Sequence, residues 1–250
     1  QANPGVDPYV PRAGSVLTIP LQTLLPDAPR EGLVLNLAEL RLYYYPPGRS
    51  EVTVYPIGIG QLGGDTITPT MVTTVSDKRA NPTWTPTANI RARYKAMGID
   101  LPAVMPAGPD NPMGHHAIRL AAYGGVYLLH GTNADFGIGM RVSSGCIRLR
   151  DDDIKALYNE ITPGTKVTII NTPIKVSVEP NGTRLVEVHQ PLSKHIDDDP
   201  QTLPITLTDS MQAFKQAQLT DTEVMERAMM LRSGMPIDVT RHHRVTEQSL

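Results

Sequence analysis

One stretch of this sequence combines residue types that together can perform nucleophilic catalysis. His130 ends a predicted β-strand, and Cys146, the only cysteine among 250 residues, follows 16 positions later. Gly145 places no side chain next to the thiol, so a substrate backbone can approach it closely. A histidine beside a thiol can remove its proton and make it a nucleophile. By composition alone a lone cysteine is more often a small buried residue near an unrelated histidine, whereas the glycine-rich flanks and the strand-end histidine favour a nucleophilic thiol.

Two arginines and several glycines surround this pair in the sequence. Arg141 and Arg148 add positive potential, which favours both a thiolate and an anionic substrate. The segment between His130 and Cys146 is rich in glycine, at positions 131, 137, 139 and 145. Because such a segment can fold back on itself, we expect Cys146 to lie beside the strand that ends at His130.

The overall composition excludes several classes of protein. The 23 Lys and Arg residues against 25 Asp and Glu give a net charge of -2, which argues against nucleic-acid binding driven by charge. A single cysteine cannot form an internal disulfide. No apolar run approaches the roughly 18–20 residues that span a bilayer, so we expect no transmembrane segment. The hydrophobic content of 40% is sufficient for a folded core.

The elements that must position these residues are mainly short β-strands. Alternation with a period of two predicts strands over 33–37, 40–44, 52–59, 71–75, 117–121, 126–130, 166–170 and 185–188. Helices are predicted over 89–97, 151–161 and 224–231. The last of these helices follows a capping box formed by Thr220 and Glu223. Residues 101–114 are expected to be a binding loop, 15–19 a strand that stops at Pro20, and 241–250 a polar tail.

The motif around the cysteine resembles that of a known enzyme family. His130-Gly131-Thr132, followed by Ser143-Ser144-Gly145-Cys146-Ile147-Arg148, is similar to the signature of the L,D-transpeptidases, the YkuD-type catalytic domain. Segments 33–46, 56–60, 82–87 and 104–114 look like the enterobacterial members that attach Braun lipoprotein to peptidoglycan. The resemblance is strongest over residues 30–190. It implies a mostly β, β-sandwich-like catalytic domain with a few short helices and a C-terminal helical extension.

The resemblance also implies roles for residues at matching positions. Cys146 matches the nucleophile, His130 the general base, and Gly131 the residue whose carbonyl orients the imidazole. The amides of Gly145 and Cys146 are implied oxyanion donors. Contacts with substrate or oxyanion are implied at Ser143, Ser144, Arg141 and Arg148. Ser144 stands where many members have histidine, which leaves its role open, whereas Arg148 in place of asparagine fits the lipoprotein-attaching branch.

A three-part organisation follows from the same resemblance. Residues 1–25 look like the second half of a LysM peptidoglycan-binding module, 30–172 like the catalytic domain, and 173–250 like a C-terminal extension with a strand, a helix and a polar tail. We expect the sequence to begin inside a longer protein, because half of the LysM-like unit and a signal peptide are missing. The implied location is the periplasm.

The implied reaction is a two-step acyl transfer on peptidoglycan. Cys146 attacks the diaminopimelate carbonyl of a tetrapeptide stem, D-alanine leaves, and the C-terminal Lys amine of Braun lipoprotein takes the acyl group. Carbapenems, which resemble an acyl donor, are expected to acylate the same thiol. No cofactor is implied. We also expect no metal, because the adjacent His115 and His116 point to opposite faces of a strand and no further ligands accompany them at suitable spacing.

Three alternative functions stay open at this point. The acceptor can be a second diaminopimelate amine, which would make a 3→3 crosslinking enzyme. Water can be the acceptor, which would make a cysteine peptidase. The chain can also be a non-catalytic peptidoglycan-binding protein with a vestigial cysteine, although a pure binding protein has no reason to keep both His130 and Cys146.

Overall fold

The computed structural model describes residues 2–7, 10–63 and 66–242. The chain forms two compact units, a larger one of residues 28–171 and 194–196, and a smaller one of residues 1–27, 172–193 and 197–250. The predicted fold class is confirmed, because the described chain is mostly β with four α-helices, two of them in its C-terminal part. In the same ranges, no helix has the length and apolar character needed to cross a membrane.

The larger unit is built around one long sheet. The strands of this unit are β1 (Gly32–Asn36), β2 (Arg41–Tyr45), β3 (Thr53–Pro56), β4 (Ile59–Gly60), β5 (Met71–Ala80), β6 (His116–Leu120), β7 (Leu128–His130), β8 (Arg141–Ser143), β9 (Ile147–Arg148) and β10 (Lys166–Ile170). Eight of them form a sheet in the order β3-β2-β1-β10-β5-β6-β7-β9, while β4 pairs with β8. The predicted pair of strands in 33–44 is confirmed as the antiparallel hairpin β1–β2, with Leu33 opposite Tyr44.

A dense apolar core surrounds strands β1 and β2 of this sheet. Leu33 and Leu35 of β1, together with Leu42 and Tyr43 of β2, are completely buried. Adjacent residues of these strands are buried on both faces, as happens when a sheet is covered on both sides. Burying each apolar side chain of this size contributes about 1.5–3 kcal/mol. The core therefore stabilises the sheet that also contains β5, β6, β7 and β9.

Two helices flank the strands of the larger unit. The predicted helix 89–97 is confirmed as α1 (Ala88–Ala96), which Thr87 caps by accepting the Ile90 N–H and which Gly98 follows with a φ of 79°. The predicted helix 151–161 is confirmed as α2 (Asp151–Glu160), where three aspartates in the first turn complement the helix dipole. It packs against β6. The proline-rich residues 101–114 contain neither helix nor strand, as predicted.

The smaller unit combines a three-stranded sheet with two helices. Its elements are β11 (Ile174–Val178), β12 (Arg184–Val188), α3 (Asp209–Gln216), α4 (Thr222–Leu231) and β13 (Pro236–Asp238). The sheet has the order β11-β12-β13 and is antiparallel throughout. Its core is formed by Ile174, Val186, Val188, Met211, Phe214, Met225, Ala228 and Val239. The sequence predicted β12 and α4 but missed β11, α3 and β13.

Two local predictions in the smaller unit are wrong. Residues 15–19 form no strand; Val16 and Ile19 stay exposed, and the Thr18 N–H donates to the side chain of Asn3 instead of to a neighbouring strand. Helix α4 is capped by Asp221, because the Thr220 hydroxyl is buried and donates to the carbonyl of Phe214 at 2.6 Å.

The polar tail predicted over 241–250 lies, from residue 243, outside the described residues. The LysM-like origin of residues 1–25 stays a prediction.

A buried ion pair in the smaller unit holds the segment that precedes the larger unit in sequence. Lys175 Nζ lies 2.9 Å from Glu187 Oε1, and both side chains are fully buried. The same two groups bind the backbone of Leu24, whose N–H donates to Glu187 at 2.6 Å and whose carbonyl accepts from Lys175 at 2.6 Å. Burial alone would raise the pKa of Glu187, but hydrogen bonds from His189 and Leu24 and the charge of Lys175 lower it to about 2.

Candidate active site

Cys146 and His130 meet where β9 pairs with β7. The two strands are parallel, with Leu129 opposite Ile147 and His130 opposite Arg148. Leu129 and Ile147 are completely buried on one face of the sheet. Because side chains alternate between faces, His130, Arg148 and Cys146, which directly precedes β9, share the other face. The expectation that the glycine-rich segment folds back and brings Cys146 beside the strand of His130 is therefore confirmed.

This shared face is the floor of a cavity of about 440 Å³. Such a volume lies in the range of typical ligand pockets. The floor residues come from four neighbouring strands, β5, β6, β7 and β9, and from the residue before β9. They are Asp77, Arg79, Ala117, Arg119, Leu128, His130, Cys146 and Arg148. The walls are formed by residues 82–87, by α1 through Ile90, Arg93 and Tyr94, and by residues 124–126.

His130 is held as a neutral imidazole with a defined tautomer. Its Nδ1 lies 2.6 Å from the carbonyl oxygen of Gly131, and since a carbonyl only accepts, Nδ1 carries the proton. Nε2 is therefore left with its lone pair. Burial lowers the pKa of His130 to about 4; the hydrogen bond to Gly131 opposes this shift, and the charge of Arg148 adds to it. At neutral pH the ring can act as a base.

Gly131 lies where an added side chain would collide with the carboxylate of Asp151. A Cβ atom there would lie 2.2 Å from Oδ1 of Asp151 and 3.3 Å from the Cα of Gly114. Asp151 in turn accepts the backbone N–H of His115 at 2.9 Å and pairs with the His115 ring. The first residue of α2 therefore packs against the backbone that orients His130. Sequence reasoning missed this contact, since no local pattern connects Asp151 with Gly131.

The thiol of Cys146 is protonated in the resting site. Burial raises its pKa, and this effect outweighs a hydrogen bond from the backbone of Leu128 and the positive charges of Arg148 and Arg119. The Sγ atom lies 3.7 Å from the carbonyl oxygen of Val126. Arg148 thus supplies the predicted positive charge, which lowers the pKa of the thiol, but desolvation raises that pKa by more. The resting pair is a neutral thiol with a neutral imidazole.

The turn before the cysteine is fixed by two hydroxyl groups. The Ser143 hydroxyl donates to the Cys146 carbonyl at 2.5 Å and accepts the Gly145 N–H at 3.2 Å. Thr68 donates to the Gly145 carbonyl at 2.8 Å. Gly145 has a φ of 104°, a conformation that favours glycine. Of the two implied oxyanion donors, the Gly145 amide is therefore engaged within the turn, whereas the Cys146 amide has no acceptor among the described residues.

The other implied contact residues separate into two groups. Ser143, Ser144 and Arg148 line the cavity, and Ser144 accepts a hydrogen bond from Arg93 of α1 at 3.1 Å. Arg141 does not line it; its Nε donates to the carbonyl of Gly60 at 3.4 Å, because β8 pairs with β4. Arg141 is therefore not among the charges that act on the Cys146 thiol, contrary to the prediction.

Arg119 takes the place of Arg141 as the second charge near the thiol. Sequence reasoning missed Arg119 because it lies far from the motif in the chain. A signal was nevertheless available, since Ala117 and Arg119 alternate on the predicted strand 117–121 and so share one face. In the structure these two residues lie opposite His130 and Leu128.

Comparisons with known proteins assign both parts of the chain to one family. A model of the L,D-transpeptidase catalytic domain matches residues 30–169, and one of the L,D-transpeptidase C-terminal domain matches residues 173–239. The probable L,D-transpeptidase YcfS of Escherichia coli K12 is 83% identical over 250 residues, which are all of this chain and 78% of that protein. The probable L,D-transpeptidase YbiS of the same strain is 52% identical over 239 residues, covering 95% of this chain and 77% of YbiS.

A solved structure is also similar, at lower identity. An L,D-transpeptidase from Mycobacterium smegmatis has 20% sequence identity and a TM-score of 0.40, with 55% of this chain and 57% of that chain covered. The family assignment depends on the domain models and the sequence relatives. On these, the chain belongs to the L,D-transpeptidase family, and the resemblance drawn from the cysteine motif is confirmed.

Proposed function

We propose that this chain is a periplasmic L,D-transpeptidase that joins peptidoglycan stems to the C-terminal Lys of Braun lipoprotein. One observation carries the proposal: His130 and Cys146 lie on the same face of the paired strands β7 and β9, in one cavity, with the His130 tautomer set by Gly131. This arrangement provides a nucleophile and a base that is free to accept its proton. The lipoprotein acceptor is supported by the resemblance of segments such as 82–87 to the lipoprotein-attaching branch.

In the first step Cys146 becomes acylated. Nε2 of His130 takes the thiol proton as Sγ attacks the carbonyl that links diaminopimelate to D-alanine. The tetrahedral intermediate places its negative oxygen toward the Cys146 N–H, the donor that the turn leaves available. Collapse breaks the amide bond, and the proton on His130 passes to the leaving nitrogen of D-alanine. The products are a thioester on Cys146 and free D-alanine.

In the second step the thioester is transferred to an amine. His130, again neutral, takes a proton from the attacking amine and returns it to the departing sulfur. A new amide bond forms, and Cys146 is restored as a thiol. Because the pKa of the thiol is raised by burial, proton transfer has to accompany attack and departure of the sulfur. The His130 pKa of about 4 keeps the ring in its basic form across the neutral range.

A competition experiment tests this function. The enzyme is mixed with a tetrapeptide-bearing muropeptide and a peptide that ends like the lipoprotein in Lys, and products are identified by mass spectrometry. We expect D-alanine release and a product in which the Lys side-chain amine carries the stem. Capture by diaminopimelate would favour 3→3 crosslinking, and capture by water a peptidase. Binding without release of D-alanine would exclude catalysis.

A further inference from the structure

Arg148 is a charged group without an obvious counterpart. Its Nε is inaccessible to solvent and has no hydrogen-bond partner among the described residues. Arg148 lines the cavity, two residues after Cys146 and opposite His130. Burial lowers the pKa of Arg148, and the influence of Tyr94 and Cys146 opposes that shift. A desolvated guanidinium is costly unless an anion pairs with it, so the position is suited to an anionic ligand.

The charges around Arg148 also favour an anionic ligand. The cavity lining contains Arg79, Arg93, Arg119 and Arg148, against the single carboxylate of Asp77. The whole chain, by contrast, has a formal net charge of -2. Asp77 also lies 3.9 Å from Arg79, so it is not positioned to neutralise Arg148. The described cavity is therefore a local region of positive potential in a nearly neutral protein.

We propose that Arg148 binds the terminal carboxylate of the D-alanine that leaves in the acylation step. This inference rests on the proposed function and assigns a specific group of the substrate to Arg148. Cys146 and Arg148 share one face of an extended segment, so their Cα atoms are about 6.6 Å apart. In a tetrapeptide donor the terminal carboxylate lies one residue beyond the carbonyl that Cys146 attacks, about 3.8 Å along the chain. An arginine side chain spans such a distance and binds carboxylates through two parallel hydrogen bonds.

The proposal makes Arg148 a determinant of donor length. A donor with one further residue would move its carboxylate about 3.8 Å away from the guanidinium and bring an uncharged amide to it. Tetrapeptide stems would then be preferred over pentapeptide stems because only they present a carboxylate at this distance from the thiol. The carboxylate departs with D-alanine, so it influences acylation but not the thioester that remains.

Single-turnover acylation of Cys146, followed by intact mass, tests this role. The donors are a tetrapeptide with a free terminal carboxylate and the same peptide with that carboxylate converted to an amide. We expect the wild-type enzyme to prefer the free carboxylate by about 10- to 100-fold, the range of a charge-assisted hydrogen bond. In Arg148→Gln the two donors should differ by less than threefold. Because a change in thiol reactivity slows both donors equally, the ratio reports recognition of the carboxylate.

Controls separate recognition from folding. Arg150→Gln changes an exposed arginine two residues further along the chain that does not line the cavity, and it should keep the wild-type ratio. Alkylation by iodoacetamide, which is uncharged, checks that the thiol of each variant is accessible. If Arg148→Gln fails to fold, Arg148→Lys takes its place in the test. This variant keeps the charge without the planar guanidinium, so its ratio should lie between that of the wild type and equality of the two donors.

The possible outcomes are distinct. A wild-type enzyme that acylates both donors equally, or an Arg148→Gln variant that retains the wild-type ratio, would overturn the role of Arg148 and leave the proposed function intact. A wild-type enzyme that is acylated by neither donor would overturn both proposals. Loss of discrimination in Arg148→Gln, with discrimination retained in Arg150→Gln, would support the carboxylate site.

Discussion

Nδ1 of His130 lies 2.6 Å from the carbonyl oxygen of Gly131, the next residue in the chain. This short-range contact determines which ring nitrogen carries the proton, and it leaves Nε2 for the thiol. The backbone that offers the carbonyl is held by the Gly131 N–H, which donates to the carbonyl of His116 at 3.0 Å, and it packs against the Asp151 carboxylate, which would overlap with a side chain at position 131. The orientation of the base thus depends on the tight packing between β7 and the start of α2.

Gly131→Ala is expected to lower both activity and stability. The added Cβ would lie 2.2 Å from Asp151 Oδ1, so either the Asp151 carboxylate, which is held by His115, or the backbone that orients His130 must move. We expect the rate of Cys146 acylation to fall at least tenfold and the thermal midpoint to drop by several degrees, as for other overpacked sites. If the collision is the cause, the double variant Gly131→Ala/Asp151→Ala should lose less than the two single variants combined. Strict additivity would contradict this interpretation.

The pH dependence of acylation should place the acid limb far below the ordinary histidine range. Burial lowers the pKa of His130 to about 4, so the ring stays neutral and basic until the pH falls through that value. Acylation rates of the free enzyme between pH 3.5 and 8 should therefore be nearly flat from pH 5 to 7 and decline near pH 4. An acid limb centred near 6.5, the ordinary pKa of histidine, would indicate an exposed ring or another base.

Treatment with a carbapenem should identify the nucleophile and the base separately. Wild-type protein is expected to gain one adduct by intact mass, and Cys146→Ala none, because the adduct is a thioester to Sγ. His130→Ala should be acylated at least 100-fold more slowly. Ser144→Ala should retain most of its rate, since Ser144 contacts Arg93 and not the base. An inactive Ser144→Ala beside an active His130→Ala would reverse these assignments.

Lys175→Met should destabilise the smaller unit strongly. It leaves the Glu187 carboxylate buried without its charged partner, and breaking such a pair costs about 3–5 kcal/mol. The matched control is Lys215→Met, which removes a partly exposed pair with Glu226 and should cost less than about 1 kcal/mol. Denaturant unfolding measures both. Equal losses in the two variants would show that the buried pair has no special importance.

The same network predicts how the smaller unit responds to acid. Folding lowers the pKa of Glu187 from 4.5 to about 2, so its contribution to stability is complete above pH 4.5. That contribution is lost as the pH falls from 4.5 toward 2, because the unfolded chain binds the proton first. Glu187→Gln should therefore show a shallower loss of stability over this interval than the wild-type protein.

Much of this protein could be predicted from local sequence patterns. The alternation of Leu33, Leu35 and Leu42 predicted the β1–β2 hairpin, and the regions around Thr87 and Asp151 predicted helices close to their observed bounds. The type and spacing of His130 and Cys146, with their glycine neighbours, predicted the chemistry and the family. These features depend on neighbouring residues in the chain, so the sequence carries them directly. Local patterns did not predict β11, α3 or the Asp221 cap. Their local signals are weak, and packing within the smaller unit determines them.

Only the tertiary structure decided which distant groups act on the site. Strand pairing brings Arg119 to the thiol and directs Arg141 to Gly60, although Arg141 is much closer to Cys146 in the chain. Burial reverses the ionisation expected of the pair, because desolvation outweighs the positive charges nearby. The contact between Asp151 and Gly131 likewise exists only after α2 packs on the sheet. The sequence by itself thus determined the reacting groups, whereas the fold determined their charge, orientation and surroundings.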